Sequence, residues 1–137
     1  ISQKNQEILF LGNLYAKRDW GYAKEYVECM WKMLQAEKSE EYVIATGQNI
    51  SVKDFVEKVF LKFQIQLAWK NKGNDEEGYD TKSGKTLIKI DPYYIRPNEV
   101  NNLIGDSSKA KKLLNWKPKT NVDQLIDIMI KHELQNN

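Results

Sequence analysis

A short run of apolar residues constrains the fold of this chain more than any other feature. Tyr42-Val-Ile-Ala-Thr46 contains no charge and ends at Gly47. Such a run is typical of a strand that is buried on both faces, and strands of this kind usually belong to parallel sheets covered by helices. The rest of the sequence offers no set of partner strands, so we expect the sheet that receives residues 42–46 to lie elsewhere.

Apolar spacing around this run predicts a mixed α/β chain with four helices. The helices begin near Tyr22, at Ser51, at Asp106 or Ser107, and at Thr120 or Asn121. Ser51 and Asp54 have the spacing of a capping box, which marks the start of the second helix. Short strands are predicted at 7–12, 64–69 and 86–91, with the last two antiparallel to each other. Residues 70–86 contain three glycines among charges and are predicted to form an exposed, mobile loop.

The first helix carries an apolar stripe that we expect to face the core. Its members recur every three or four residues, so they share one face while charged side chains fill the other. They are Ala23, Val27, Met30, Trp31 and Leu34. The same spacing predicts that Leu113 on the third helix and Met129 on the fourth face inward.

Composition excludes several classes of function. The chain has 137 residues, 21 of them Lys or Arg and 19 Asp or Glu, so its net charge of +2 gives no case for a nucleic-acid partner. No stretch approaches the roughly 20 apolar residues that a membrane span requires. One cysteine and one histidine offer neither a disulfide nor a zinc cluster. Because the chain has no disulfide, a cytoplasmic setting is expected.

Without an initiator Met or a signal peptide, the chain is expected to be a piece of a longer protein.

Arginine occurs at only two positions, Arg18 and Arg96, both in predicted loops. Arginine at a site where the surface otherwise uses lysine suggests planar, multi-point recognition of phosphate or carboxylate. The alternative is that each arginine forms a structural ion pair with a nearby acid, Asp19 or Glu99. The aromatic residues close to them are open to two interpretations, stacking on a base or ordinary packing. These are Tyr15, Trp20, Tyr22, Tyr93 and Tyr94.

Longer strings of this sequence carry a family resemblance. The strings are L-G-N-L-Y-A-K-R-D-W-G-Y-A-K-E-Y-V at 11–27, Y-V-I-A-T-G at 42–47, S-V at 51–52, R-P-N-E-V at 96–100, G-D at 105–106, S-K-A at 108–110 and L-N-W-K-P at 114–118. Together they resemble the GDP-mannose 4,6-dehydratase family and follow the family's order over nearly the whole chain. Three positions depart from the usual residues: Tyr15 and Glu25 stand in place of Asp, and Tyr22 in place of His.

This resemblance implies a particular fold. The family belongs to the extended short-chain dehydrogenases/reductases, which have an α/β, NAD(P)-binding Rossmann-like fold. Residues 1–137 resemble only the C-terminal, substrate-binding portion, and the Rossmann half with its glycine motif and Tyr-x-x-x-Lys pair is absent. The strand at 42–46 would then join the missing Rossmann sheet.

The resemblance also implies site residues. Arg18 and Arg96 would bind the diphosphate of GDP-mannose, and Glu99 would accept hydrogen bonds from the ribose hydroxyls. The loop from Leu11 to Lys17, including Asn13, would lie along the guanine and the ribose. No residue of this chain is assigned a catalytic, cofactor-binding or metal-binding role.

The implied activity is that of an NADP-dependent lyase. The complete enzyme would convert GDP-mannose to GDP-4-keto-6-deoxymannose, a precursor of GDP-fucose, with NADP bound by the missing half, and would form a homo-oligomer. The chain alone is expected to be inactive and prone to self-association. Two other hypotheses stay open: another nucleotide-sugar epimerase or dehydratase of the same class, or a non-catalytic module that binds nucleotide sugars.

Overall fold

A computed structural model describes residues 6–135, which form two compact units. The first unit comprises residues 6–16 and Ser51–Asn101, and the second comprises Lys17–Ile50 and residues 102–135. Within these described residues, no helix has both the length and the apolar character needed to cross a membrane.

The elements follow the chain in a mixed order. The strands are β1 (Leu9–Leu11), β2 (Lys17–Arg18), β3 (Ile50–Ser51), β4 (Leu67–Lys70), β5 (Glu77–Asp80) and β6 (Thr86–Ile90). The helices are α1 (Ala23–Leu34), α2 (Val52–Lys62), α3 (Ser108–Leu114) and α4 (Val122–Gln135), and 3₁₀ turns cover Gly73–Asp75 and Pro92–Tyr94. The four predicted helices are confirmed.

The first unit packs α2 against a four-stranded sheet. The strand order is β1-β6-β5-β4, in which β1 runs parallel to β6 and the other neighbours are antiparallel. Val56 and Phe60 on α2 meet Leu87 and Ile88 on β6 to form the buried core. The predicted capping box begins the helix: the Ser51 hydroxyl accepts from the amide of Asp54 at 3.0 Å, and the Asp54 carboxylate accepts from the amide of Ser51 at 3.2 Å.

The prediction of a loop over 70–86 is wrong, because β5 lies within it. β5 separates β4 from β6, so the predicted antiparallel pairing of these two strands is wrong as well. Gly78 explains how a polar segment takes a central place in the sheet. A Cβ at this position would lie only 3.1 Å from the Trp69 ring and 3.2 Å from the Ile88 side chain, so both pack over the bare backbone.

The second unit is mainly helical. Its core contains Cys29, Ala110 and Trp116, and the Trp116 indole N–H donates to the carbonyl of Glu25 at 2.9 Å. Burial raises the pKa of the Cys29 thiol, which favours the neutral form. At the start of α4, the Asn121 side chain accepts from the amide of Gln124 at 2.9 Å, in agreement with the predicted cap.

The predicted inner face of α1 is wrong. Trp31 is 60% exposed and Leu34 is 81% exposed, and Val27 and Met30 are exposed as well. The helix instead packs through Tyr26, Cys29 and Met33 against α3 and Trp116. Helical spacing gave α1 two apolar faces, and it cannot show which face finds a neighbour. Leu113 and Met129, also predicted to point inward, are exposed as well.

The run at 42–46 forms no ladder with any strand in the described part of the chain. Ala45 is buried against Gly105, where a Cβ would lie 2.3 Å from the Ala45 side chain, whereas Val43 is exposed. The strand prediction is therefore not confirmed for this chain. The expectation that these residues join a sheet elsewhere stays a prediction.

The core of the first unit gives a stability prediction. Ile88 is fully buried, so Ile88→Ala should lower the free energy of unfolding by about 3 kcal/mol through lost apolar contact and a residual cavity. Leu61→Ala, on the exposed side of α2, should change it by less than about 0.5 kcal/mol. Urea unfolding of both variants checks this, and equal losses would contradict the assigned core.

Candidate functional site

Two loops of the first unit leave the sheet at the same edge. β1 and β6 are parallel, with Leu11 opposite Ile90, so the residues that follow them emerge side by side. The amide of Asp91 donates to the carbonyl of Leu11 at 2.8 Å. The edge at the carboxyl ends of parallel strands is where ligands bind in many α/β proteins.

Gly12 brings these loops into direct contact. A Cβ at this position would lie 2.4 Å from the carbonyl oxygen of Tyr94 and 2.8 Å from its carbonyl carbon. Only a residue without a side chain lets the two backbones approach this closely. The loop that contains Asn13 and the loop that leads to Arg96 are therefore neighbours.

The loop over residues 12–16 is fixed mainly by the first turn of α2. Leu14 and Ala16 are almost fully buried, and their carbonyl groups accept from the amides of Lys53 at 2.8 Å and Val52 at 3.1 Å. These bonds satisfy N–H groups that a helix start would otherwise leave without a partner. The Asn13 side chain accepts from the amide of Tyr15 at 2.9 Å.

The neighbouring loop presents Arg96 on the surface. The Asp91 carboxylate accepts from the amide of Tyr93 at 2.9 Å and begins the 3₁₀ turn Pro92–Tyr94. Arg96 follows this turn and is exposed, and Glu99, three residues later, is partly buried. The rings of Tyr93 and Tyr94 meet edge to face, with centroids 5.3 Å apart, and both side chains are exposed.

A buried carboxylate lies beside the loop over 12–16. Glu76 is 3% exposed, and its two oxygens accept from the Tyr15 hydroxyl at 2.7 and 3.0 Å. The ammonium group of Lys53 donates to the same carboxylate at 2.6 Å and lies 4.4 Å from the centroid of the Trp69 ring. Tyr15, Glu76 and Lys53 are called the loop-anchor cluster below.

Ionisation in the loop-anchor cluster follows from these contacts. The hydrogen bond to Glu76 raises the pKa of Tyr15, so the phenol stays protonated. Partial burial is the largest single influence on Lys53 and lowers its pKa, but the hydrogen bond to Glu76 and the attraction of nearby acidic groups together outweigh it, so the pKa of Lys53 is raised. Sequence reasoning missed Glu76 and Lys53, because an acid in a glycine-rich polar stretch and a lysine on a helix both look solvent-exposed. It marks Tyr15 as an aromatic residue and as a departure from the family's usual Asp, but not as a partner of Glu76.

Lys17 and Arg18 lie in the second unit, on β2. The Arg18 guanidinium donates to the carbonyl of Lys17 at 2.8 Å.

The next residue, Asp19, is a structural anchor. Its carboxylate accepts from the amide of Thr46 at 2.8 Å, from the Thr46 hydroxyl at 2.5 Å and from the amide of Gly47 at 2.9 Å.

The structure thus brings some predicted site residues together. Asn13 and Arg96 belong to adjoining loops of the first unit, and Glu99 follows Arg96 in the same unit. Lys17 and Arg18 belong to the second unit. The convergence of Arg18 and Arg96 on one diphosphate stays a prediction.

Solved structures define the class of this fold. RMD from Pseudomonas aeruginosa, solved with NADPH, matches 91% of the chain with a TM-score of 0.67 at 17% identity, over 35% of its own length. The dTDP-glucose 4,6-dehydratase of Bacillus anthracis, solved with NAD, matches 95% of the chain with a TM-score of 0.68 at 16% identity, also over 35% of its own length. The chain shares the fold of the matched part of each of these two proteins.

Sequence comparison defines the family. The family profile described as "GDP-mannose 4,6 dehydratase" matches residues 1–129. The GDP-mannose 4,6 dehydratase of Dictyostelium discoideum is 51% identical over 98% of the chain, and the human one is 47% identical over 94%. The chain belongs to the GDP-mannose 4,6-dehydratase family. It spans only 38% and 35% of the lengths of these two relatives.

Proposed function

We propose that this chain is the substrate-binding part of a lyase that converts GDP-mannose to GDP-4-keto-6-deoxymannose. Its membership of the family, with 51% and 47% identity to two GDP-mannose 4,6 dehydratases, supports this assignment. The observation that carries it is the pair of adjoining loops at the carboxyl ends of β1 and β6, which contain Asn13 and lead to Arg96. An exposed arginine at such an edge suits an anionic ligand.

Each site residue has a distinct proposed role. Arg96 and Arg18 bind the diphosphate, because a guanidinium group offers paired donors and keeps its charge at every physiological pH. Glu99 accepts hydrogen bonds from the ribose hydroxyls, and Asn13 and Lys17 lie along the ribose and the guanine. Binding the nucleotide end in this way would hold the mannose ring in register for the reaction at its other end.

The residues of this chain do not fit a nicotinamide cofactor. The sequence has no G-x-G-x-x-G motif. Gly12, which follows β1, packs against the backbone of Tyr94, so the close approach of two loops accounts for this glycine. We therefore assign NADP, and the hydride chemistry that it supplies, to a part of the enzyme outside this sequence.

The exposed apolar face of α1 also supports a separate cofactor-binding half of the enzyme. Val27, Met30, Trp31 and Leu34 form a stripe that soluble proteins usually cover. We propose that the Rossmann half of the enzyme covers this stripe and receives residues 42–46 as a strand.

We also propose that the complete enzyme is a homo-oligomer in the cytoplasm. A cytoplasmic setting suits a buried, unpaired Cys29.

Product analysis tests the proposal directly. The complete enzyme is incubated with GDP-mannose and NADP, and the product is identified by mass spectrometry. A dehydratase gives a 4-keto product that has lost one water, whereas an epimerase gives an isomer of unchanged mass. Binding of GDP-mannose without turnover would favour the non-catalytic module. The 137-residue chain alone serves as the inactive control.

A further inference from the structure

We infer that the loop-anchor cluster of Tyr15, Glu76 and Lys53 positions the loop over residues 12–16 for nucleotide binding. The inference rests on the proposed function, because it assigns this loop to the binding site. Tyr15, Glu76 and Lys53 themselves would not touch the ligand. They would act through Asn13, the contact residue proposed above.

Three separate elements meet at the Glu76 carboxylate. Tyr15 comes from the loop, Lys53 from the first turn of α2, and Glu76 from the segment just before β5. A carboxylate that is 3% exposed needs a compensating charge and hydrogen bonds, and Lys53 supplies the charge. The cluster is therefore a fixed point to which the loop is attached.

Tyr15 transmits this fixed position to Asn13. The Tyr15 ring is 56% exposed, so burial alone does not hold it, and its hydroxyl is attached to Glu76. The amide of the same residue donates to the Asn13 side chain. A continuous series of hydrogen bonds thus runs from Glu76 through Tyr15 to the proposed contact residue Asn13.

Lys53 holds the same loop in two ways. Its backbone amide donates to the carbonyl of Leu14, and its side chain neutralises Glu76, which holds Tyr15. The ammonium group also lies 5.4 Å from the centroid of the Tyr15 ring and 4.4 Å from that of Trp69. These contacts join the loop to the start of α2, and they limit the positions that the loop can adopt.

The test compares Tyr15→Phe and Glu76→Gln in the complete enzyme. Tyr15→Phe keeps the ring but removes the hydrogen bond, and we expect KM for GDP-mannose to rise about fivefold while kcat changes by less than about twofold. Glu76→Gln keeps the shape but weakens both attachments and should give a similar rise. Glu77→Gln is the matched control, because the neighbouring carboxylate binds Lys70 and Lys89 instead of the loop, and its KM should match wild type.

Three outcomes decide the question. If the double variant Tyr15→Phe/Glu76→Gln raises KM no more than either single variant does, the two residues act as one unit, as inferred. If the melting temperature of the variants shifts while their KM stays at the wild-type value, the cluster contributes to stability alone and the inference is overturned. Failure of the wild-type enzyme to bind GDP in calorimetry would instead defeat the proposed function, so the two failures are separable.

Discussion

Arg96→Ala in the complete enzyme is expected to weaken GDP binding by about 100-fold. A guanidinium group that binds a phosphate by two parallel, charge-assisted hydrogen bonds contributes much more than a neutral contact. Arg96 is exposed, so its removal should leave folding intact and the loss should appear in binding alone. Calorimetric titration with GDP measures the change, and the same loss is expected for Arg18→Ala.

Two further variants separate charge from geometry. Arg96→Lys keeps the positive charge but loses the planar pair of donors, so binding should fall by about tenfold. Lys82→Ala removes an exposed cation from the turn after β5 and should leave binding unchanged, because this turn is remote from the carboxyl ends of β1 and β6 along the sheet. GDP affinity at the wild-type level in both Arg96→Ala and Arg18→Ala would refute the proposed diphosphate site.

Features that depend on a few neighbouring residues could be predicted from the sequence. The Ser51–Asp54 capping box and the Asn121 cap are local hydrogen bonds between residues three apart. The resemblance to the family was equally readable, because it depends on the order of residues alone.

Features that depend on distant partners could not be predicted in this way. α1 has two apolar faces, and only the position of Trp116, far along the chain, decides that Cys29 faces inward. β5 is polar and short, and its place in the sheet depends on Trp69 and Ile88 packing over Gly78.

The candidate site shows the same limit. Residue type and resemblance predict Arg96 and Asn13 as site residues, but they do not reveal the contacts that hold the loop of Asn13. Glu76 is buried although its neighbours in the sequence are polar. Its burial is possible because Lys53 from α2 neutralises its charge and the Tyr15 hydroxyl donates to its oxygens. Sequence separations of 23 and 61 residues leave no local signal of these contacts.

Gly12→Ala is expected to damage both the stability of the first unit and nucleotide binding. The added methyl group would overlap the carbonyl of Tyr94, an atom of a backbone that cannot rotate away, so the two loops must separate. Overpacking of this kind should lower the free energy of unfolding by about 2 kcal/mol. It should also displace both the loop that contains Asn13 and the loop that leads to Arg96. GDP binding should therefore fall at least as far as in Arg96→Ala.

A second glycine provides the control for this prediction. Gly84 has a positive φ of 69°, a Cβ added there would meet nothing within 4 Å, and asparagine tolerates this backbone conformation. Gly84→Asn should therefore change the free energy of unfolding by less than about 0.5 kcal/mol and leave GDP binding intact. If Gly12→Ala behaved like Gly84→Asn in urea unfolding and calorimetry, the close approach of the two loops would not be what shapes the site. Selective loss in Gly12→Ala would tie nucleotide binding to the close approach of the two loops that follow β1 and β6.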